Sequence, residues 1–134
     1  MTNRLLALDV GSKRIGVATA DTIVRIAVPY DTIEVDGSEV EAIATIVAQQ
    51  DVDIIVVGYP RNQSGEATAQ TAVSEDLAAR LNGIVGKIVF QDESLTSVMA
   101  ENRLKNRGKY TKGDVDKEAA AIILQDYMEQ NYAA

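Results

Sequence analysis

Short apolar runs alternate along the chain with longer stretches in which apolar residues recur at helical spacing. The apolar runs predict five strands, over 4–10, 14–20, 26–35, 53–58 and 87–91. The third run contains Pro29, which has no backbone N–H to donate to a neighbouring strand. We therefore expect the third strand at an edge of a sheet, and the uninterrupted aliphatic run at 53–58 near its centre.

Helical periodicity predicts four helices, over 39–50, 66–81, 96–106 and 114–131. The turn at 36–38 (DGS) carries an N-cap signal for the first helix, and Asp114 is the expected N-cap of the last. The last helix also carries a narrow stripe that should pack on the sheet. Its members are Asp116, Ala119, Ala120, Ile123, Leu124 and Tyr127.

The order of these elements determines the expected fold class. Three strands come first, then helices and strands alternate, and an extra helix ends the chain. The opening strands should be antiparallel and the later ones parallel, through right-handed crossovers. We predict one α/β domain over 1–134 with an RNase H-like fold, in which a mixed five-stranded sheet is flanked by helices.

Acidic residues fall where three separate elements should meet. Asp9 ends the first strand, Asp92 and Glu93 follow the last strand, and Asp116 lies in the first turn of the final helix. Carboxyl ends of parallel strands form the usual ligand-binding edge of such a sheet. Each acid also has a structural interpretation. Asp9 could cap the following turn, the Asp92–Glu93 pair could cap the next helix, and Asp116 could complement the helix dipole.

Composition restricts the available chemistry. The chain has no Cys and no His, which excludes disulfides, Cys/His zinc sites and Ser-His or Cys-His nucleophile pairs. Clustered carboxylates raise one another's pKa unless a cation neutralises them. Oxygen ligands select Mg²⁺ or Mn²⁺, and one or two such ions can support phosphodiester cleavage. The acids therefore indicate a divalent-metal site.

Charge is unevenly distributed along the chain. The net charge is −7, which by itself argues against a nucleic-acid partner. Two basic clusters nevertheless lie close to the predicted acids, at 13–14 and at 103–112. Ordinary solvated surface charge is the alternative interpretation of both. Because the sequence shows neither a signal peptide nor a membrane span, we expect a cytoplasmic protein with no membrane partner.

Four segments resemble the YqgF family, also called RuvX, of Holliday junction resolvases and pre-16S ribosomal RNA nucleases. Residues 8–18 (LDVGSKRIGVA) resemble its first-strand motif, and 57–65 (VGYPRNQSG) resemble its loop after the fourth strand. Residues 92–97 (DESLTS) look like its Asp-Glu-Arg-Leu-Thr-Thr motif, and 115–125 (VDKEAAAIILQ) are similar to its last-helix motif. The similarity runs in order over essentially the whole chain.

This resemblance implies that Asp9, Glu93 and Asp116 are both the catalytic acids and the ligands of one or two Mg²⁺ or Mn²⁺ ions. Ser94 stands where the family usually has Arg, so one phosphate contact of the family is not expected here. Other basic residues are expected to bind nucleic acid. They are Lys13, Arg14, Arg61, Arg103, Arg107 and Lys109.

The resemblance implies a metal-dependent endonuclease that processes the 5′ end of pre-16S ribosomal RNA, with the ribosomal subunit as a further partner. A Holliday junction resolvase acting on branched DNA is the alternative, and the sequence leaves monomer and homodimer open. A non-catalytic nucleic-acid-binding module is a third hypothesis. Nucleotide binding, suggested by the likeness of 9–16 to the phosphate loop of actin-like ATPases, would need a second lobe for which a 134-residue chain has no room.

Overall fold

The predicted strands form a single sheet in a computed structural model that describes residues 3–60, 68–93 and 96–132. The strands are β1 (Arg4–Val10), β2 (Arg14–Asp21), β3 (Val28–Glu34), β4 (Ile54–Pro60) and β5 (Lys87–Glu93). Their order across the sheet is β3-β2-β1-β4-β5. The first three strands are antiparallel, whereas β1, β4 and β5 run parallel. The mixed five-stranded sheet is confirmed, with Pro29 on an edge strand and β1 in the centre.

Within the described residues the sheet is accompanied by four helices, α1 (Glu39–Gln50), α2 (Ala69–Arg80), α3 (Thr96–Lys105) and α4 (Lys112–Asn131). Two of the predicted helix starts were wrong because threonines provide the caps. Thr68 caps α2, so this helix begins after the predicted position 66, which lies outside the described residues. Thr111 caps α4, and Asp114 is the third residue of its capping box instead of the N-cap.

The DGS turn at 36–38 does not provide the side-chain cap that its sequence predicted for α1. Ser38 occupies the N-cap position, but its side chain makes no capping hydrogen bond. Its hydroxyl donates instead to a carboxylate oxygen of Asp36 at 2.6 Å. The DGS turn is therefore stabilised within itself, and α1 begins without a side-chain cap.

Alternation along the strands divides the core into two layers. Leu6 and Leu8 of β1 point into the layer that contains α1 and α2. Leu5 and Ala7 point into the layer that contains α4. Because successive strand residues face opposite sides, Asp9 shares the α4 side with Leu5 and Ala7. The small buried residues at 119–121 let α4 lie close against that side.

The carboxyl ends of β1, β4 and β5 meet at one edge of the sheet, where α4 begins. Strand order and polarity thus bring the ends of β1 and β5 and the start of α4 to one edge, as the sequence predicted. The 20-residue α4 and the other helices of the described ranges are all too short or too polar to cross a membrane.

Candidate active site

Asp9 lies near the carboxyl end of β1, on the side of the sheet that α4 covers. Its carboxyl group is partly buried, and the Gly11 N–H of the following turn donates to the Arg14 carbonyl, not to Asp9. Burial, and then the negative charges of Glu93 and Asp116, raise the pKa of Asp9 to about 8. Asp9 therefore retains its proton near neutral pH unless a cation is supplied.

Glu93 is the last residue of β5 and lies on the same side of the sheet. Gln91, two residues earlier, donates to Gln130 of α4 at 3.2 Å. Because alternate strand residues share a face, Glu93 also lies on the side of β5 that faces α4. A Cβ atom added to Gly58 of β4 would lie 2.8 Å from Glu93 Oε2. The bare backbone of Gly58 therefore leaves the space that the Glu93 carboxylate occupies between β5 and Asp9.

Asp116 is the fifth residue of α4 (Lys112–Asn131), at the point where this helix touches β2. Gly16 pairs with Asp9 across β1 and β2, and a Cβ atom on Gly16 would lie 1.9 Å from the Asp116 carbonyl oxygen. No side chain larger than hydrogen fits between the strand and the helix. Gly16 thus allows the start of α4 to rest directly on the sheet beside Asp9.

The sequence interpretation did not assign these two glycines to the site. Gly16 is the β2 partner of Asp9, and Gly58 comes directly after Val57, the β4 partner of Leu8. Glycine inside a strand often marks the close approach of another backbone or group, and that signal was present in the sequence. Together the glycines keep both sides of Asp9 clear for the other two acids.

Asp116 already has a cationic partner. Arg14 Nε donates to Asp116 Oδ2 at 2.6 Å, and the two side chains are only 30% and 21% exposed. Within residues 3–60, 68–93 and 96–132, no three acidic side chains are arranged so that they could hold a metal ion as they stand. The predicted acids share one edge and one electrostatic environment, while Arg14 holds the third of them.

The predicted basic residues are distributed around α4. Arg103 and Arg107 both approach Glu118 Oε1, at 3.4 and 3.5 Å, and the Glu118 side chain is only 5% exposed. Lys13 and Lys109 are exposed on turns. Glu118 was not predicted from the sequence. The signal for it was an acidic residue directly before the apolar run at 119–124 and after the basic cluster at 103–112. Glu118 fixes two arginines close to the start of α4.

Arg61 and Ser94, which the sequence interpretation singled out, lie outside the described residues.

A groove of about 370 Å³ opens beside Asp116. It runs between β2, α3 and the loop that precedes α4. Its lining residues are Arg14, Glu101, Tyr110, Thr111, Lys112, Val115 and Asp116. The groove therefore carries two cations, Arg14 and Lys112, and two acids, Glu101 and Asp116. Its aromatic ring belongs to Tyr110, whose hydroxyl donates to Glu101 at 3.2 Å.

Known proteins share both the sequence and the fold. The family model RuvX, described as Holliday junction resolvase, matches residues 3–130. The chain belongs to the RuvX family. This RuvX chain is 40% identical over 131 residues to a Chloroflexus aurantiacus protein named "Putative pre-16S rRNA nuclease", covering 93% of the chain and 86% of the relative. A Lactococcus lactis subsp. cremoris protein of the same name is 33% identical over 137 residues, with 96% of each covered. The resemblance found in the motifs is confirmed.

Solved structures place the RuvX chain in the same fold as RuvC. It matches the Thermus thermophilus RuvC chain in complex with a Holliday junction substrate with a TM-score of 0.57. The match covers 96% of this chain and 94% of the RuvC chain, at 10% sequence identity. Similarity at this level concerns the fold alone, and it confirms the predicted RNase H-like architecture.

Proposed function

We propose that this RuvX chain is a metal-dependent endonuclease that processes the 5′ end of pre-16S ribosomal RNA in the cytoplasm. One observation carries the proposal: Asp9, Glu93 and Asp116 lie along one edge, and the latter two raise the pKa of the first. Like charges are seldom brought together unless a cation is to join them. The curated relatives named as pre-16S rRNA nucleases support RNA as the substrate.

The donors at this edge fit Mg²⁺ or Mn²⁺. They are all carboxylate oxygens, and Gly16 and Gly58 keep bulky side chains away from them. Asp9, Glu93 and Asp116 would hold one or two ions. When bound, such ions supply positive charge to the phosphodiester and activate the attacking water. The side chains of the protein itself then need only align the RNA strand along this edge.

The basic residues would supply that alignment. Arg103 and Arg107 are fixed by the buried carboxylate of Glu118, so their guanidinium groups are held in place at little further entropic cost. Lys13 and Lys109 add exposed positive charge, and Arg61 is a further candidate from the sequence. These contacts would bind phosphates and carry no sequence information. A ribosomal subunit precursor is the larger partner that this role implies.

A resolvase acting on branched DNA is the second candidate. It is favoured by the description of the matched family and by the shared fold with RuvC bound to a junction. A symmetric junction cut requires two active sites, so this function calls for a homodimer, whereas RNA trimming is compatible with a monomer. The measured oligomeric state therefore bears directly on the choice.

Cleavage of a short RNA that spans the 5′ precursor junction of 16S rRNA tests the proposal. The reactions contain Mg²⁺, Mn²⁺ or EDTA, and a four-way DNA junction is incubated in parallel with the same protein. We expect metal-dependent cleavage of the RNA and none in EDTA. Cleavage of the junction alone would establish the second candidate. Tight binding without cleavage of either substrate would leave a nucleic-acid-binding module.

Gly58→Ala is expected to weaken Mn²⁺ binding by about tenfold to a hundredfold, because the new Cβ displaces the Glu93 carboxylate. The free energy of unfolding should fall by about 1 kcal/mol, since the same Cβ would also lie 2.8 Å from Cδ1 of Ile123, a buried core side chain. Isothermal titration calorimetry and urea unfolding measure the two effects. Gly86→Ala is the matched control, because its Cβ would meet nothing closer than 3.7 Å. Equal Mn²⁺ affinity in both variants would refute the proposed role of Gly58.

Arg107→Gln is expected to weaken RNA binding regardless of sequence and to reduce the salt dependence of log Kd by about 0.7–0.9 per lost phosphate contact. The Arg107 side chain is 62% exposed and lies on the same Glu118 oxygen as Arg103. Lys87→Gln is the control, because Lys87 begins β5 at the opposite end of the sheet. Fluorescence anisotropy at several salt concentrations gives the slope. The same slope for both variants would remove Arg107 from the interface.

A further inference from the structure

Arg14 occupies the carboxylate that the proposed function assigns to a metal ion. Its Nε lies 2.6 Å from Asp116 Oδ2, although the two residues are 102 positions apart in sequence. Both side chains are largely shielded from water, so the pair is stronger than an exposed ion pair of the same length. A divalent cation that binds Asp116 through Oδ2 must therefore compete with a cation of the chain itself.

The backbone around this ion pair has no room to adjust. Gly16, two residues after Arg14, brings β2 so close to α4 that even a Cβ atom would lie 1.9 Å from the Asp116 carbonyl oxygen. The start of α4 therefore cannot slide toward β2, and the strand cannot shift toward the helix. Release of Asp116 Oδ2 therefore depends mainly on side-chain rotation, for which the long Arg14 side chain has the most freedom.

A second acidic partner for Arg14 lies on the neighbouring strand. The β2–β3 register places Glu34 directly opposite Arg14, where Cβ atoms are about 5 Å apart in antiparallel pairs. The Asp116 carboxylate is the main group that raises the pKa of the Arg14 guanidinium, and the negative charge of Glu34 adds a smaller contribution in the same direction. The Arg14 side chain can thus move from Asp116 to Glu34 without losing a counterion.

We infer that Arg14 is an exchangeable partner of Asp116, which a divalent cation displaces toward Glu34 when the site is loaded. The inference rests on the proposed function, because it takes Asp116 as a metal ligand. Arg14 keeps the acid neutralised when no divalent cation is bound. The apparent affinity for the metal is then the affinity of the carboxylates alone multiplied by the fraction of molecules in which Arg14 has left Asp116.

Calorimetric titration with Mn²⁺ in the absence of nucleic acid tests this exchange. We expect Arg14→Gln to bind Mn²⁺ about three- to tenfold more tightly than Lys13→Gln. The control removes the same charge one residue away, on an exposed turn, so it accounts for the general gain in cation affinity. Glu34→Gln should weaken Mn²⁺ binding in the wild-type background. Its effect should shrink in the Arg14→Gln background, because Glu34 then has no arginine to receive.

The possible results separate the exchange from the metal site itself. Arg14→Gln binding Mn²⁺ no more tightly than Lys13→Gln would overturn the exchange and make Arg14 a permanent partner that orients Asp116. Absence of Mn²⁺ binding in the wild type and in all variants would overturn the metal site and the exchange together. If Arg14→Gln does not fold, as judged by circular dichroism, Arg14→Lys replaces it. That variant forms a weaker pair and should bind Mn²⁺ more tightly than the wild type, while equal or weaker binding overturns the exchange.

Discussion

The Asp9→Asn protein is expected to lose nuclease activity by about 10³-fold or more while becoming more stable than the wild type at alkaline pH. The loss follows because Asn supplies one neutral oxygen where the proposed metal site needs a carboxylate. The gain follows because Asn mimics the protonated acid, which is the form that burial and the charges of Glu93 and Asp116 favour. Activity and stability should therefore change in opposite directions at this position.

The pH dependence of stability tests the same prediction independently of substrate. Folding raises the pKa of Asp9 from 3.8 to about 8, so the folded state binds the proton more tightly than the unfolded state. The free energy of unfolding of the wild type should consequently fall as pH rises from about 4 to about 8, and then level off. Asp9→Asn should lack this contribution and exceed the wild type by about 2 kcal/mol or more above pH 8.

Urea unfolding in EDTA near pH 5 and near pH 8.5 measures the difference between the two proteins. Added Mn²⁺ should stabilise the wild type at the higher pH by mass action and leave Asp9→Asn almost unchanged. A constant difference between the two proteins across the pH range would contradict the raised pKa. Full nuclease activity in a clean preparation of Asp9→Asn would contradict the proposed function.

Gly16→Ala is expected to lower the free energy of unfolding by about 3 kcal/mol, at the upper end of the cost of overpacking a core. The added Cβ would lie 1.9 Å from the Asp116 carbonyl oxygen and 2.8 Å from the Lys117 nitrogen. Both are backbone atoms, so rotation of a side chain cannot relieve the contact. The start of α4 must move away from β2, and Asp116 moves with it.

Gly86→Ala is again the matched control, since the change is the same and the surroundings are open. It should unfold within about 1 kcal/mol of the wild type, as substitutions away from tight contacts do. Parallel urea titrations of the two variants give the comparison. If Gly16→Ala proved as stable as Gly86→Ala, the close contact between β2 and α4 would be disproved.

Much of the fold could be predicted because certain residue types occur mainly in one structural environment. Pro29 marked an edge strand, and the aliphatic run of β4 marked a strand covered on both faces. The helix starts were harder to predict, because several residues near each start can serve as a cap. Thr111 and Asp114 form one capping box, and the sequence alone does not say which member is first.

The site could be predicted only as far as strand order and polarity carry residues to one edge. The parallel strands β1 and β5 carry Asp9 and Glu93 to the same edge, and α4 begins at that edge with Asp116. Strand order and polarity could not show that Arg14 pairs with Asp116 or that Glu118 binds two arginines. Such pairs depend on side-chain rotamers and on separations between elements, which no sequence period encodes.

The contact between β2 and the start of α4 also has a consequence for the synthesis of the protein. Arg14 of β2 and its partner Asp116 are 102 positions apart, so the nascent chain contains Asp9, Arg14 and Glu93 before Asp116 is added. If Asp9, Glu93 and Asp116 form the proposed metal site, a chain that stops before Asp116 has only two of its three acids, so such truncated chains are expected to be inactive.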